Sequence, residues 1–147
     1  MITEEIKTIC LHVWKCVRTW LENAWCIDLD DMRGACAVAS YTLYRYLRVK
    51  GYKPKFIMAM DKDDYEGHCY VELNDLVLDL TVKQFDEKLP DILVIKKDKY
   101  INHIPKLKKY VRVVSGRRAI GQFKEWTKEQ NPLTYRGKIN YLIRKAA

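Results

Sequence analysis

The amino-acid sequence predicts an α+β fold in which two N-terminal helices pack on an antiparallel sheet and further helices follow. Apolar residues recur at helical spacing over residues 3–26 and 35–50. From Lys55 onward the pattern changes to short alternating segments bounded by turn residues, which is typical of strands. The 147 residues, 48% of them hydrophobic, suffice for one domain with a substantial core.

Two helices are predicted in the first third of the chain. The first covers residues 3–26, where Thr3 can accept hydrogen bonds as the N-cap. A polar loop follows over residues 27–34. The second helix begins at about Ala35 and ends near Lys50, because the next residue is a glycine, which commonly terminates helices.

The residue pattern predicts strands in the middle of the chain and helices at its end. A first strand covers Lys55 to Met60, and a hairpin follows with strands at about 67–73 and 76–81, turning at Asn74-Asp75. The remaining predictions are a helical turn at 84–88, short strands at 92–95 and 110–114, and helices at 117–130 and 133–146. We treat residues 1–147 as one domain, with a core at about 1–95 and a basic, mainly helical extension at about 96–147.

The hairpin makes a geometric prediction. A two-residue loop pairs Leu73 with Leu76, so one face of the hairpin carries only apolar residues and must face the core. The opposite, outward face carries His68 and Asp79. In this register the two residues are diagonal neighbours, with backbones roughly 7–8 Å apart, so their side chains can reach one another.

Cys36, His68 and Asp79 form a candidate catalytic set. Cys36 lies where a polar loop becomes a helix, and a helix N-terminus favours the thiolate. A histidine can then take up or return a proton, and a carboxylate can orient the ring. The ordinary alternative is a small core cysteine, an exposed strand histidine and a solvent-facing carboxylate.

These residues resemble the transglutaminase-like branch of the papain-like cysteine fold, over roughly residues 30–86. Cys36 follows a glycine by two positions, as the family nucleophile does. His68 lies in Gly67–Glu72, which is similar to the family's Gly-His-Ala-Trp-Val-Glu. Asp79, Thr81 and Gln84-Phe85 resemble Asp-x-Thr-x-x-Gln-Phe of bacterial relatives. Departures from the family pattern are Cys69, Tyr70 and Leu80, and the lack of an aromatic residue directly after Cys36.

The resemblance implies a papain-like fold and acyl chemistry without a cofactor. Cys36 would attack a carbonyl to give a thioester, and hydrolysis of a peptide or amide bond is favoured. This would make the protein a hydrolase of the thiol protease type. Transfer to an amine, as in transglutaminases, and deamidation of glutamine stay open. Tyr70, Trp25 and Gln84 are the candidate substrate-binding residues, and a protein or peptide is the expected substrate.

Cysteine usage and hydropathy predict a cytoplasmic protein. Five cysteines without a C-x-x-C motif suit reduced thiols rather than a disulfide framework. A zinc site at Cys36, His68 and Cys69 is disfavoured, because strand neighbours point to opposite faces. We find no run of apolar residues long enough to span a membrane, and the acidic N-terminus does not resemble a signal peptide.

The uneven charge suggests a second type of partner. Residues 1–94 carry 12 Lys and Arg against 16 Asp and Glu, whereas residues 95–147 carry 15 against 3. Such a basic segment suits an acidic partner or a nucleic acid, or simply confers solubility. A non-catalytic binding module is therefore the rival function. Its candidate contacts are Lys106, Lys108, Lys109, Arg112, Arg117 and Arg118, with Tyr110 and Trp126 stacking on bases.

Overall fold

The computed structural model describes residues 2–24, 35–63, 66–130 and 143–144, and its fold is α+β. Within these ranges it has four α-helices and one five-stranded antiparallel sheet. The elements in chain order are α1 (Ile2–Ala24), α2 (Cys36–Val49), β1 (Lys55–Met60), β2 (Gly67–Leu73), β3 (Leu76–Asp79), β4 (Leu93–Lys96), α3 (Lys97–His103), β5 (Arg112–Ser115) and α4 (Gly116–Gln130).

Most predicted elements are confirmed; the differences are shifted ends, one replaced turn and two helical segments that were not predicted. The hairpin's second strand ends at Asp79 rather than at residue 81, because a 3₁₀ turn, Val82–Gln84, follows at once. That turn replaces the helical turn predicted at 84–88. Helix α3 and the 3₁₀ helix Pro105–Lys109 were not predicted. The helix predicted at 133–146 lies almost wholly outside the described residues.

The sheet has the strand order β4-β3-β2-β1-β5, with every neighbouring pair antiparallel. Leu73 pairs with Leu76 and Val71 with Leu78, which confirms the two-residue hairpin and its predicted register. The turn depends on Asn74, which adopts a left-handed backbone conformation with φ 57°. Asparagine tolerates that region better than most residues do.

One face of the sheet packs on helices and forms the larger core. The apolar face of the hairpin joins residues of α1, α2 and α4 in a single buried cluster. Its largest fully buried side chains include Phe56, Phe123, Leu43 and Leu47. The helices therefore cover the face that the apolar alternation of the hairpin had assigned to the core. None of the described helices is long and apolar enough to cross a membrane.

The other face is also covered, and here the sequence interpretation was wrong. The alternation of the hairpin predicts that the face carrying His68 and Asp79 points outward. The structure buries both side chains, to 1% and 0% exposure, beneath α3 and the two 3₁₀ segments. This cover forms a second buried cluster, which consists of Ile57, Ala59, Tyr70, Val77, Val82, Phe85, Tyr100, Ile104 and Leu107.

Strand β5, which belongs to the basic C-terminal third, is an edge strand of the sheet. It pairs antiparallel with β1, where Val113 lies opposite Ala59 and Arg112 lies opposite Met60. Helix α4 follows directly and packs Ala119 and Phe123 into the larger core. The part of this segment that the structure describes therefore contributes to the fold itself.

The burial of the second face gives a stability test at Val77. Its side chain is 1% exposed on the face of β3 that carries Asp79. Replacing it with alanine removes two buried methyl groups and leaves a cavity, so Val77→Ala should lower the free energy of unfolding by about 1.5–3 kcal/mol. Urea denaturation of the full chain measures this change.

The matched control is Val113→Ala, since Val113 lies on the same face but is 56% exposed. We expect that substitution to cost less than about 1 kcal/mol. Equal and small effects at the two positions would show that the second face is open to solvent.

Candidate active site

Cys36 is the first residue of helix α2. A hydrogen bond from Ser40, one helical turn later, holds this end of the helix against the sheet. Ala35, the N-cap residue, supplies no side-chain acceptor to the first turn. The N–H groups there leave a partial positive charge beside the Cys36 thiol. Ser40 donates a hydrogen bond from Oγ to the backbone oxygen of Cys69, at 2.9 Å. The Cys36 side chain is partly exposed, as a nucleophile must be.

His68 and Asp79 are in direct contact. The imidazole Nε2 lies 2.7 Å from Asp79 Oδ2, and both side chains are buried. The hairpin register brings them together, because His68 on β2 and Asp79 at the end of β3 share one face. A buried carboxylate with this partner favours the proton on Nε2, which leaves Nδ1 as the ring nitrogen available to other groups.

Two further donors hold the Asp79 carboxylate. The backbone N–H of Thr81 donates to Oδ1 at 2.9 Å, and the Tyr100 hydroxyl donates to Oδ2 at 2.5 Å. Tyr100 is buried on helix α3. Sequence reasoning missed it, because no local pattern connects a residue of an unpredicted helix with a carboxylate 21 positions earlier.

Aromatic rings enclose the imidazole of His68. The Phe85 ring meets it edge-on, with centroids 4.7 Å apart, while Tyr70 and Tyr110 lie roughly parallel to it at 6.0 Å and 6.3 Å. Tyr70 also packs against Tyr100, with ring centroids 4.9 Å apart. Tyr70 had been assigned to substrate binding, but its burial leaves little surface for a substrate.

The other two candidate substrate-binding residues differ in how they are placed. Gln84 lies with Nε2 3.1 Å from His68 Nδ1 and 3.1 Å from Thr81 Oγ1. The Gln84 amide nitrogen therefore contacts the same ring nitrogen that Cys36 must reach, and it can donate to Nδ1 only while the imidazole is neutral. Trp25 lies outside the described residues.

The pKa of the Cys36 thiol is held well below its usual value. A hydrogen bond from the Cys69 thiol is the largest cause, and it outweighs burial, which opposes ionisation. The hydrogen bond and the positive charge of His68 lower the pKa further. Cys36 is therefore set to exist as a thiolate beside an imidazolium.

The pKa values of the other two residues support the same charge state. Burial lowers the pKa of His68, but the charge and hydrogen bond of Asp79, together with Cys36, raise it to about 10. Burial raises the pKa of Asp79, yet the charge and hydrogen bond of His68 hold it below its ordinary value. These directions favour the charge state in which Cys36 is a thiolate, His68 an imidazolium and Asp79 a carboxylate.

Cys69 is an unexpected member of the site. It follows His68 on β2 and lies on the core face, so Cys36 interacts with two consecutive strand residues that point to opposite sides. The interaction with the Cys36 thiolate raises the pKa of the Cys69 thiol well above its usual value. Cys69 therefore stays protonated and acts as a hydrogen-bond donor.

A cavity of about 560 Å³ adjoins the site on the side of helix α3. Gln84 and Phe85, which both contact His68, are part of its wall, whereas Cys36 is not. Lys106 also lines this cavity and donates from Nζ to the backbone oxygen of Phe85 at 2.8 Å. His68 does not line this cavity either, so the cavity borders the site through Gln84 and Phe85 alone.

The basic residues of the rival function are partly used within the fold. Lys109 forms an ion pair with Glu66 and lies over the ring of Tyr110. Tyr110 itself is only partly exposed and packs against His68 and Phe85. Lys108, Arg117 and Arg118 are exposed, and the side chain of Trp126 lies outside the described residues. The stacking surface expected at Tyr110 is therefore occupied by the site.

Comparisons with known proteins give no relative from which a function could be transferred. We found no protein-family model, no curated protein and no solved structure that matches the chain. Within the described part of the chain, no three His, Cys, Asp or Glu side chains form a group that could hold a metal ion. A functional assignment therefore depends on the geometry of Cys36, His68 and Asp79.

The lowered pKa predicts how Cys36 reacts with iodoacetamide. An ordinary thiol loses reactivity by about 100-fold between pH 8.5 and pH 6, because its thiolate fraction falls by that factor. We expect the alkylation rate of Cys36 to fall far less, since its thiolate persists below its usual pKa. Peptide mass spectrometry resolves the rate at each cysteine.

Cys10 is the internal control, because burial raises the pKa of its thiol to about 12 and it should stay unmodified in the folded protein. A Cys36 rate that drops in parallel with that of glutathione would show that its thiol is not activated.

The role of Asp79 can be tested in the same assay. Asp79→Asn keeps the shape of the side chain but removes the charge that raises the pKa of His68. The imidazole then loses its proton at lower pH, so the pKa of Cys36 rises and the thiolate fraction at pH 6 falls. We expect alkylation of Cys36 at pH 6 to slow by about tenfold or more, which corresponds to one pKa unit.

The control for this variant is circular dichroism, which must show that the fold persists. An unchanged alkylation rate in folded Asp79→Asn would exclude an electrostatic role for the carboxylate.

Proposed function

We propose that the protein is a cysteine-dependent enzyme that hydrolyses a peptide or amide bond through a thioester on Cys36. One observation carries the proposal: a partly exposed thiol at a helix start is paired with a buried, carboxylate-bound imidazole. Structural cysteines usually lie in apolar surroundings with their pKa raised, as that of Cys10 is. The environment of Cys36 instead lowers the pKa of its thiol.

Acylation would use the ion pair directly. The Cys36 thiolate attacks the substrate carbonyl carbon, and the resulting oxyanion is stabilised by the N–H groups at the start of α2. The protonated His68 gives its Nδ1 proton to the leaving amine, so the amine departs neutral and the thioester forms. Asp79 holds the ring through Nε2 and stabilises the imidazolium before this transfer.

Deacylation would reverse the proton transfer. The neutral imidazole removes a proton from water, the hydroxide attacks the thioester, and Cys36 leaves as the thiolate. The carboxylic acid is released and the ion pair is restored. An amine in place of water would make the same site a transglutaminase-like acyltransferase, and a glutamine side chain as the acyl donor would make it a deamidase.

The fold family and the location of the protein belong to the same proposal. A helix-borne cysteine that meets a histidine and an aspartate on adjacent antiparallel strands supports membership of the transglutaminase-like, papain-like fold. No disulfide joins the four cysteines that the structure describes, which supports a reducing compartment such as the cytoplasm.

Binding of an acidic partner is the second candidate function. It is favoured by one observation: residues 99–124 contain no aspartate or glutamate, while Lys108, Arg117 and Arg118 are exposed. Such a surface can attract an acidic protein or a nucleic acid. It is compatible with catalysis, since an acidic substrate would serve both roles.

The proposal predicts a covalent adduct on Cys36. After brief exposure of the protein to a cell extract, intact mass spectrometry should show an added acyl group on a fraction of the molecules. Neutral hydroxylamine should remove it, because hydroxylamine cleaves thioesters. Cys36→Ala should abolish the adduct and lower turnover of the captured substrate by about 10³-fold or more, because the nucleophile is lost.

Cys16→Ser serves as the matched control, since Cys16 lies on α1 and is not one of the three residues of the proposed site, so this variant should behave as the wild type. An adduct or turnover that survives in Cys36→Ala would refute the nucleophile assignment. Retained binding of a single-stranded DNA oligonucleotide in that variant, without any adduct in the wild type, would favour the binding function instead.

A further inference from the structure

The two thiols at the site are positioned to meet each other as well as to meet a substrate. Cys36 and Ser40 are one helical turn apart, so their side chains lie on the same face of α2. The Ser40 hydroxyl is bonded to the backbone of Cys69, which fixes that face of the helix against the middle of β2. Cys36 accordingly packs on the buried cluster that contains Cys69.

The exposure of the two sulfur-bearing residues differs. Cys36 is partly exposed, whereas Cys69 is buried at 4% exposure. A small oxidant can therefore reach Cys36 but is screened from Cys69. This is the arrangement in which one cysteine reacts first and its neighbour resolves the product.

We propose that Cys36 and Cys69 form a reversible disulfide when the protein meets a peroxide, so that oxidation blocks the nucleophile instead of destroying it. The blocking of acyl chemistry rests on the proposed function, whereas formation of the disulfide requires only a reactive Cys36 thiol.

The chemistry balances in two steps. The Cys36 thiolate attacks one peroxide oxygen and breaks the O–O bond, giving a sulfenic acid and a hydroxide that takes the His68 proton to become water. The Cys69 sulfur then attacks the Cys36 sulfur and displaces hydroxide, which takes the Cys69 proton and leaves as water. Two thiols are oxidised, one peroxide is reduced, and two waters leave.

Oxidation of Cys36 in the first step also lowers the pKa of Cys69, which reacts in the second step. The hydrogen bond to the Cys36 thiolate and the charge of that thiolate both raise the pKa of Cys69. Both effects disappear when Cys36 becomes a neutral sulfenic acid, so the pKa of Cys69 falls at the moment when it must act as a nucleophile. Burial and the charge of Asp79 still oppose its ionisation.

The two thiols need only a short approach to bond. The Ser40–Cys69 hydrogen bond of 2.9 Å holds this face of α2 on β2, and Cys36 packs on the cluster that contains Cys69, whereas a disulfide needs its sulfurs about 2.0 Å apart. Cys10 and Cys16 lie on α1 rather than on β2, and Cys10 is fully buried. The proposal therefore names one pairing among those possible for the five cysteines.

The test is a hydrogen peroxide titration of the reduced full chain, followed by alkylation of remaining thiols and peptide mapping. We expect a Cys36–Cys69 linked peptide, a protein lighter by two hydrogens, and full recovery of both thiols with dithiothreitol. Pairing of Cys36 with any other cysteine, direct conversion of Cys36 to sulfinic acid, or a Cys36 that peroxide leaves unmodified would each overturn the proposal.

Cys69→Ala supplies the matched variant, with Cys16→Ser as its control. Without the resolving thiol, further peroxide should oxidise the Cys36 sulfenic acid to sulfinic acid, which dithiothreitol does not reduce, so the fraction recovered should fall by about tenfold or more. Wild-type mapping decides the question even if Cys69→Ala does not fold. A disulfide without any acyl adduct on Cys36 would refute only the proposed function. An acyl adduct without a disulfide would refute only the proposed Cys36–Cys69 disulfide.

Discussion

The contact between His68 and Asp79 is the constraint on which the rest of this structure depends. Both groups are buried, and a buried ion pair is favourable only when further hydrogen bonds replace the water that each ion has lost. Asp79 receives them from the Thr81 backbone and the Tyr100 hydroxyl. Helix α3, which carries Tyr100, is therefore part of the site, because an uncovered pair would be screened by solvent and would polarise Cys36 far less.

Burial of the pair explains why the sheet is covered on both faces. The larger core lies under α1, α2 and α4 and supplies most of the hydrophobic stabilisation. The second cluster contributes a dry, low-dielectric environment for the imidazole, with Phe85 and Tyr70 excluding water from the ring. Cys36 packs on the larger cluster, and the charge and hydrogen bond of His68 lower the pKa of its thiol.

The sequence predicted the elements whose periodicity is local, and missed the contacts that join distant segments. Alternation in the hairpin gave the register that brings His68 to Asp79. The same alternation could not reveal that the polar face is covered, because α3 comes from a charged segment without a clear apolar stripe. Tyr100 and Cys69 were missed for a related reason: their roles depend on how helices dock, and no spacing along the chain encodes docking. Gly67 was noticed only as part of a motif; an added Cβ there would lie 2.5 Å from the end of the flexible Met60 side chain, which can move, and 3.3 Å from the Ala59 backbone oxygen.

The charges of the site require that its parts act together. A thiolate, an imidazolium and a carboxylate leave one net negative charge in a largely buried space. That charge is balanced by dipoles: the N–H groups at the start of α2, the Thr81 backbone, and the hydroxyl of Tyr100. Each dipole belongs to a different element, so the low pKa of Cys36 is a property of the assembled fold and would vanish on unfolding. The same dependence links the two chemistries inferred for Cys36, because attack on a carbonyl and attack on a peroxide both require the thiolate that only this assembly maintains.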